Sequence, residues 1–218
     1  MALKRNMARD EIVSFIDNEL LPQTKQEIEN LIRPTKKPGG YFVVTRQILC
    51  MVDFLGATHS GYHLSERRED PRGDRIATSK KAINFITTFF EPKQTYQPQA
   101  VTNLYTIYRH GLVHLYQPKF LKLKNKKVLR WFFYKGKRNY RKIDIDSDKG
   151  KISFHNVEHL KVILSDPKFP RNCYLPISID ALYEDFEKAT QAYRNKLSKT
   201  KYLQTNWRTT VNAICKPR

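Results

Sequence analysis

The chain has 218 residues, with 40 Lys and Arg against 21 Asp and Glu and a formal net charge of +19. That length suits one main domain with its own core, and the charge excess favours a polyanion, either nucleic acid or an anionic membrane surface. Hydrophobic residues at 40% and aromatics at 12% exclude a disordered basic tail, and no run approaches the roughly 18 apolar residues of a membrane span.

Residues 8–32 carry helical stripes at Ile12, Phe15, Ile16 and Leu20 and then at Ile28, Leu31 and Ile32, with Pro22 as the expected break. Phe42 to Gly56 is apolar on too many sides for a surface helix and reads as the central helix of a bundle. Residues 62–78 are charged and lack a periodic apolar face, which predicts an exposed connection. Helices follow over Ser79–Phe90 and from Pro98 to about Tyr116. Beyond Pro118, aromatic and β-branched runs at Val128–Tyr134, Tyr140–Ile145 and Ile152–Phe154, separated by turn residues, predict an antiparallel β-meander. Residues 159–164 fit strand or helix equally. Leu182, Phe186, Ala189 and Tyr193 mark an amphipathic helix from Ser178 or Asp180 to Leu197, and the last twenty residues read as a loose basic tail.

Cys50, Cys173 and Cys215 are odd in number, widely spaced and free of any C-x-x-C pattern, which fits free thiols in a reducing compartment. With no apolar stretch at the N-terminus to form a secretory signal, the expected location is cytoplasmic. No glycine-rich phosphate loop is present, so no nucleotide cofactor is expected. The histidines fall into three H-x-x-x-H pairs, His59/His63, His110/His114 and His155/His159. On a helix such spacing offers two ligands to zinc. The first two pairs lack an adjacent Glu, and His155-Asn156-Val157-Glu158-His159 spells an inverted zinc-protease motif on a segment that reads as strand, so no metal is expected.

The sharper signal is Leu104-Tyr105-Thr106-Ile107-Tyr108-Arg109-His110-Gly111-Leu112-Val113-His114. An Arg, a polar residue, three more residues and a His near the end of a bundle helix resemble the R-x(4 to 6)-H motif of the HEPN superfamily. The preceding Val52-Asp53-Phe54-Leu55-Gly56 and Ile83-Asn84-Phe85-Ile86 helices are similar in layout to bacterial HEPN-like proteins of this length, over most of residues 40–195. The resemblance implies a mainly α, α+β fold: a HEPN-like four-helix bundle, often a homodimer, with a β-insertion over about 120–165 and a C-terminal helix. The domain would then be 1–199, with 200–218 as the tail. In many members the activity is a metal-independent endoribonuclease and in others the fold is a binding scaffold, with or without a regulatory protein partner. Arg109 would clamp phosphate, His114 would move the proton and His110 would orient the site. RNA brings its own nucleophile in the 2′-hydroxyl, so these groups suffice chemically. On an ideal helix Arg109 and His114 lie about 140° apart. Three explanations stay open: a distorted helix near Gly111, a site shared with a second protomer, or a structural role for one residue.

Between Lys119 and Lys151 there are 13 Lys and Arg against three Asp, and after Glu187 no acid remains. Interleaved aromatics in such a segment can stack single-stranded bases. Trp131, Lys135, Lys137, Arg138, Arg141 and Lys142 are the candidate RNA-binding residues, and a membrane surface is disfavoured because no basic amphipathic helix carries Trp and Leu on its apolar face.

Overall fold

Residues 9–32 are helical throughout despite Pro22. In a regular helix that proline lacks a donor and its ring strikes the carbonyl of residue 18. A π-turn over Ile16–Leu20, between α1 (Arg9–Phe15) and α2 (Leu21–Ile32), widens the helix immediately before it, with the Leu21 N–H bonded back to the Ile16 carbonyl. The wider turn accommodates the proline in place of the expected break. The computed structural model describes residues 3–32, 41–61, 78–109, 118, 120–123, 125–147, 150–163 and 170–216.

The central helix α3 (Tyr41–Ser60) buries Val44, Ile48, Val52 and Leu55. Among the described residues it is the one helix long and apolar enough to cross a membrane; here it is a core element packed by its neighbours. Gly56 sets the crossing with α4 (Thr78–Phe89): a Cβ there would lie 2.8 Å from the Lys81 carbonyl oxygen, so the two backbones touch. After α5 (Pro98–Leu104), which starts with Pro at its first position, the helix passes into a second π-turn over Tyr105–Arg109. Helix α6 (Ile179–Lys199) is capped by Ser178, whose hydroxyl accepts from the Ala181 N–H at 3.1 Å. Asp180 in its first turn and Lys196 and Lys199 in its last complement the helix dipole.

Residues 201–214 correct the expected loose tail. They form α7, whose Leu203, Trp207 and Val211 stripe is buried, with Trp207 edge-on to Phe15 and Phe54 at 6.1 and 5.6 Å.

The strands also depart from the expected meander. β1 (Leu121–Lys122), β2 (Val128–Tyr134) and β5 (Asn172–Ser178) form one sheet in the order β1-β2-β5, with β2 and β5 parallel. β3 (Asn139–Ser147) and β4 (Gly150–Glu158) form a separate antiparallel hairpin. The reason is that β2 is covered on both faces, which is why it reads as a continuous aromatic run. Leu129, Trp131 and Phe133 face the helices, while Phe132 and Tyr134 pack under the hairpin against Phe154, Val157 and Tyr174. Phe132 and Phe154 stack at 4.5 Å. Pro176 is tolerated in β5 because even-numbered residues of that strand point their N–H away from β2, toward residues 159–163, where proline needs no donor. The fold is mixed α+β.

Candidate nucleic-acid interface

The cleanest basic surface lies at one end of the three-stranded sheet. Between β1 and β2 the chain reverses in a tight turn: Leu123 N–H bonds the Lys127 carbonyl at 2.8 Å, Lys126 N–H bonds the Leu123 carbonyl at 3.0 Å and the Asn125 side chain accepts from the Lys127 N–H. Lys126 sits at φ 61°, a left-handed conformation at the tip of that turn, and is exposed. Antiparallel pairing sets Lys122 opposite Val128, and parallel pairing sets Val128 beside Asn172, with the Val128 N–H on the Arg171 carbonyl. Register thus gathers Lys122, Lys126, Lys127 and Arg171, and neither residues 120–143 nor 170–179 contain an acid. Beside them Phe120 is 56% exposed, with the Arg130 guanidinium 4.8 Å from its ring centroid. An exposed ring under a guanidinium, next to four cations, can stack a base and hold its phosphates.

The residues singled out from sequence are dispersed. Lys137 and Arg141 are exposed. Lys142 sits on the outer face of the hairpin 3.1 Å from Asp144, which Lys151 also approaches at 3.2 Å. A hydrogen bond from Ser153 and these lysines hold the Asp144 carboxyl down to about 2, so the two cations share this carboxylate rather than standing free. Lys135 donates to the Ile32 carbonyl and stands 5.8 Å from the Tyr41 ring centroid. Trp131 is half-buried among Phe42, Tyr108 and Phe133.

Arg138 has a different partner from the expected phosphate. Its Nη2 contacts both oxygens of Asp185, at 2.6 and 2.7 Å. Tyr96 donates its hydroxyl proton to the same carboxylate at 2.5 Å, and His159 Nε2 lies 3.3 Å from the Tyr96 oxygen. Because His159 Nδ1 accepts from the Ser178 N–H, the neutral ring carries its proton on Nε2 and donates toward Tyr96. Burial, with the Arg138 charge nearby, pushes His159 down to about 3. Burial and the Asp185 charge raise Tyr96 well above its ordinary value. Burial works against the Arg138 guanidinium, and the hydrogen bond and charge of Asp185 more than reverse it. This cluster fastens the start of the hairpin to α6.

His155 and His159 do not converge on a metal: His155 is exposed on β4 and His159 is buried beyond its end. Among the described residues no group of three or more His, Cys, Asp or Glu could hold an ion. Arg109 closes the second π-turn, after Tyr105 and Tyr108, which are buried in the core. His110, His114 and His63 lie outside the described residues, as does the connection expected over 62–78 except Thr78, which opens α4.

Sequence reasoning missed Arg171, because only the long-range β2–β5 register brings it to the basic end. The chain is thus a mixed α+β protein with a basic, aromatic sheet end. No family model matches it, and neither a curated protein nor a solved structure is significantly similar.

Proposed function

We propose that the protein binds single-stranded RNA through the basic end of its three-stranded sheet, on a HEPN-like helical framework. The observation that carries this reading is the grouping of Lys122, Lys126, Lys127 and Arg171, from two stretches of sequence without an acid, around the exposed Phe120 and its Arg130. Phosphate contacts supply the affinity and the ring accepts a base without sequence demand. The experiment is anisotropy of a labelled oligouridine against the full chain and a Lys126→Glu, Lys127→Glu double variant. Lys126 is exposed and Lys127 half-buried at the same turn, and an unchanged Tm of the variant shows that its fold is kept. Its affinity should fall and the slope of log affinity on log salt should become shallower by about 0.7 per lost phosphate contact. Unchanged affinity and slope would sink the proposal.

A second reading is metal-independent RNA cleavage by Arg109, His110 and His114. It is favoured by the π-turn that ends at Arg109, since such turns recur at functional sites in otherwise regular helices.

A further inference from the structure

Among the described residues, the edge of β2 beyond Leu129 carries no partner strand. The Val128 N–H to Arg171 carbonyl bond fixes the phase of the parallel ladder, so the even-numbered residues of β2 bond to β5. The N–H and C=O of Trp131 and Phe133 therefore face the other way. On that side β1 reaches only Leu129, through Leu121, and among the described residues no strand continues past it. Along this edge runs a groove of about 530 Å³ lined by Tyr41, Phe42 and Val43 of α3, by Trp131, Phe132 and Phe133 of β2, and by Ile145 of β3. Residues from both faces of β2 line it, so the groove follows the strand's edge. Phe42 and Val43 are 38% and 43% exposed there.

We infer that this edge receives an extended peptide with apolar residues at alternate positions and acidic residues at its ends, added to the sheet as a short strand. A strand edge between apolar walls is the geometry of strand addition: main-chain bonds give affinity and alternate side chains fill the walls. The chemistry of the ends follows from charge. Arg130 and Lys135 bracket the open stretch, and two nearby acids are already engaged, Asp144 by Lys142 and Lys151 and Asp180 by the Gly136 N–H; the first turn of α3 carries no acid. Two buried donors in this stretch, Arg130 Nε and Trp131 Nε1, have no acceptor. An incoming strand with carboxylates supplies acceptors without the like-charge repulsion that a second copy at a net charge of +19 would bring. The inference shares Arg130 with the RNA reading, whose Phe120 lies under that guanidinium; Val43, on the α3 wall of the groove, belongs to the peptide edge alone.

The test selects displayed random heptapeptides on the full chain at physiological salt in excess poly(U). Enriched peptides should alternate β-branched or aromatic residues and carry Asp or Glu at their ends. The synthetic consensus peptide should slow amide hydrogen exchange at Trp131 and Phe133, and Val43→Glu, at an exposed position, should weaken its binding at least tenfold with an unchanged Tm. Three results overturn the inference: no enrichment, enrichment without acidic ends, or binding that leaves those two amides unprotected. Peptides recovered only when poly(U) is omitted also overturn it and make a nucleic acid the occupant of the groove. Oligouridine anisotropy on the Val43→Glu variant separates the two surfaces: a groove confined to peptides leaves RNA affinity unchanged.

Discussion

Arg138 and Asp185 meet between the β2–β3 connection and α6, with one guanidinium nitrogen 2.6 and 2.7 Å from the two carboxylate oxygens. The carboxylate is 2% exposed and also holds the Tyr96 hydroxyl, so its charge is compensated only from within the protein.

Removing one partner of such a pair leaves an uncompensated buried charge. Arg138→Ala should therefore destabilise the fold by about 3–5 kcal/mol in chemical denaturation. The double variant Arg138→Met, Asp185→Leu should recover much of that loss, since apolar replacement of both charges removes the desolvation penalty. RNA affinity per folded molecule should be unchanged in the double variant. A stable Arg138→Ala protein with weakened RNA binding would return this arginine to the nucleic-acid surface.

His159 makes stability depend on pH. Folded, it titrates at about 3, against an ordinary value of 6.5. Between those values the unfolded chain binds a proton that the folded chain does not. This contribution is complete above about pH 6.5 and declines as pH falls toward 3, by about 1.4 kcal/mol per pH unit through the middle of that window. His159→Gln cannot titrate, so its urea midpoint should fall less steeply than that of the wild type between pH 7 and pH 4.5. Parallel slopes for the two proteins would show that the ring is already protonated when folded.

The helical core was largely legible because its signals are local. Ile12, Phe15, Ile16 and Leu20, and likewise Leu182, Phe186 and Ala189, sit at helical spacing and are buried as expected. The α+β class followed from the same patterns. The sheet was less legible, since register between Val128 and Asn172 is a long-range fact and Pro176 disguised β5. The Arg138 pairing with Asp185 spans 47 residues and leaves no local trace. Helix α7 could have been read: Leu203, Trp207 and Val211 recur at intervals of four, but the threonines among them lower helix propensity and the unopposed cations suggest a tail.

That stripe gives a direct test of whether 201–214 belongs to the domain. Trp207 is fully buried between α1 and α3, so Trp207→Ala should cost about 3–5 kcal/mol and lower the Tm by many degrees. A variant ending at residue 200 should expose the same surface and bind a hydrophobic dye. If both proteins melt with the wild type, α7 is an appendage rather than part of the core.

Cleavage and binding separate through Arg109 and His114. If the HEPN resemblance carries activity, His114→Ala should abolish RNA cleavage while RNA affinity and Tm stay nearly constant, because it removes proton transfer, a factor of about 10² to 10⁴, and little binding. Arg109→Ala should lose rate and some affinity together, as a phosphate clamp acts in both the ground state and the transition state. Products should end in a 2′,3′-cyclic phosphate and a 5′-hydroxyl, the outcome of attack by the neighbouring 2′-oxygen, and DNA should resist for want of that hydroxyl. The Lys126→Glu, Lys127→Glu variant should then raise KM with kcat retained, since it removes binding shared by both states. Oligouridine that the wild type binds but never cuts, with or without added divalent metal, would leave the basic sheet end as a binding surface and Arg109 and His114 without a catalytic role.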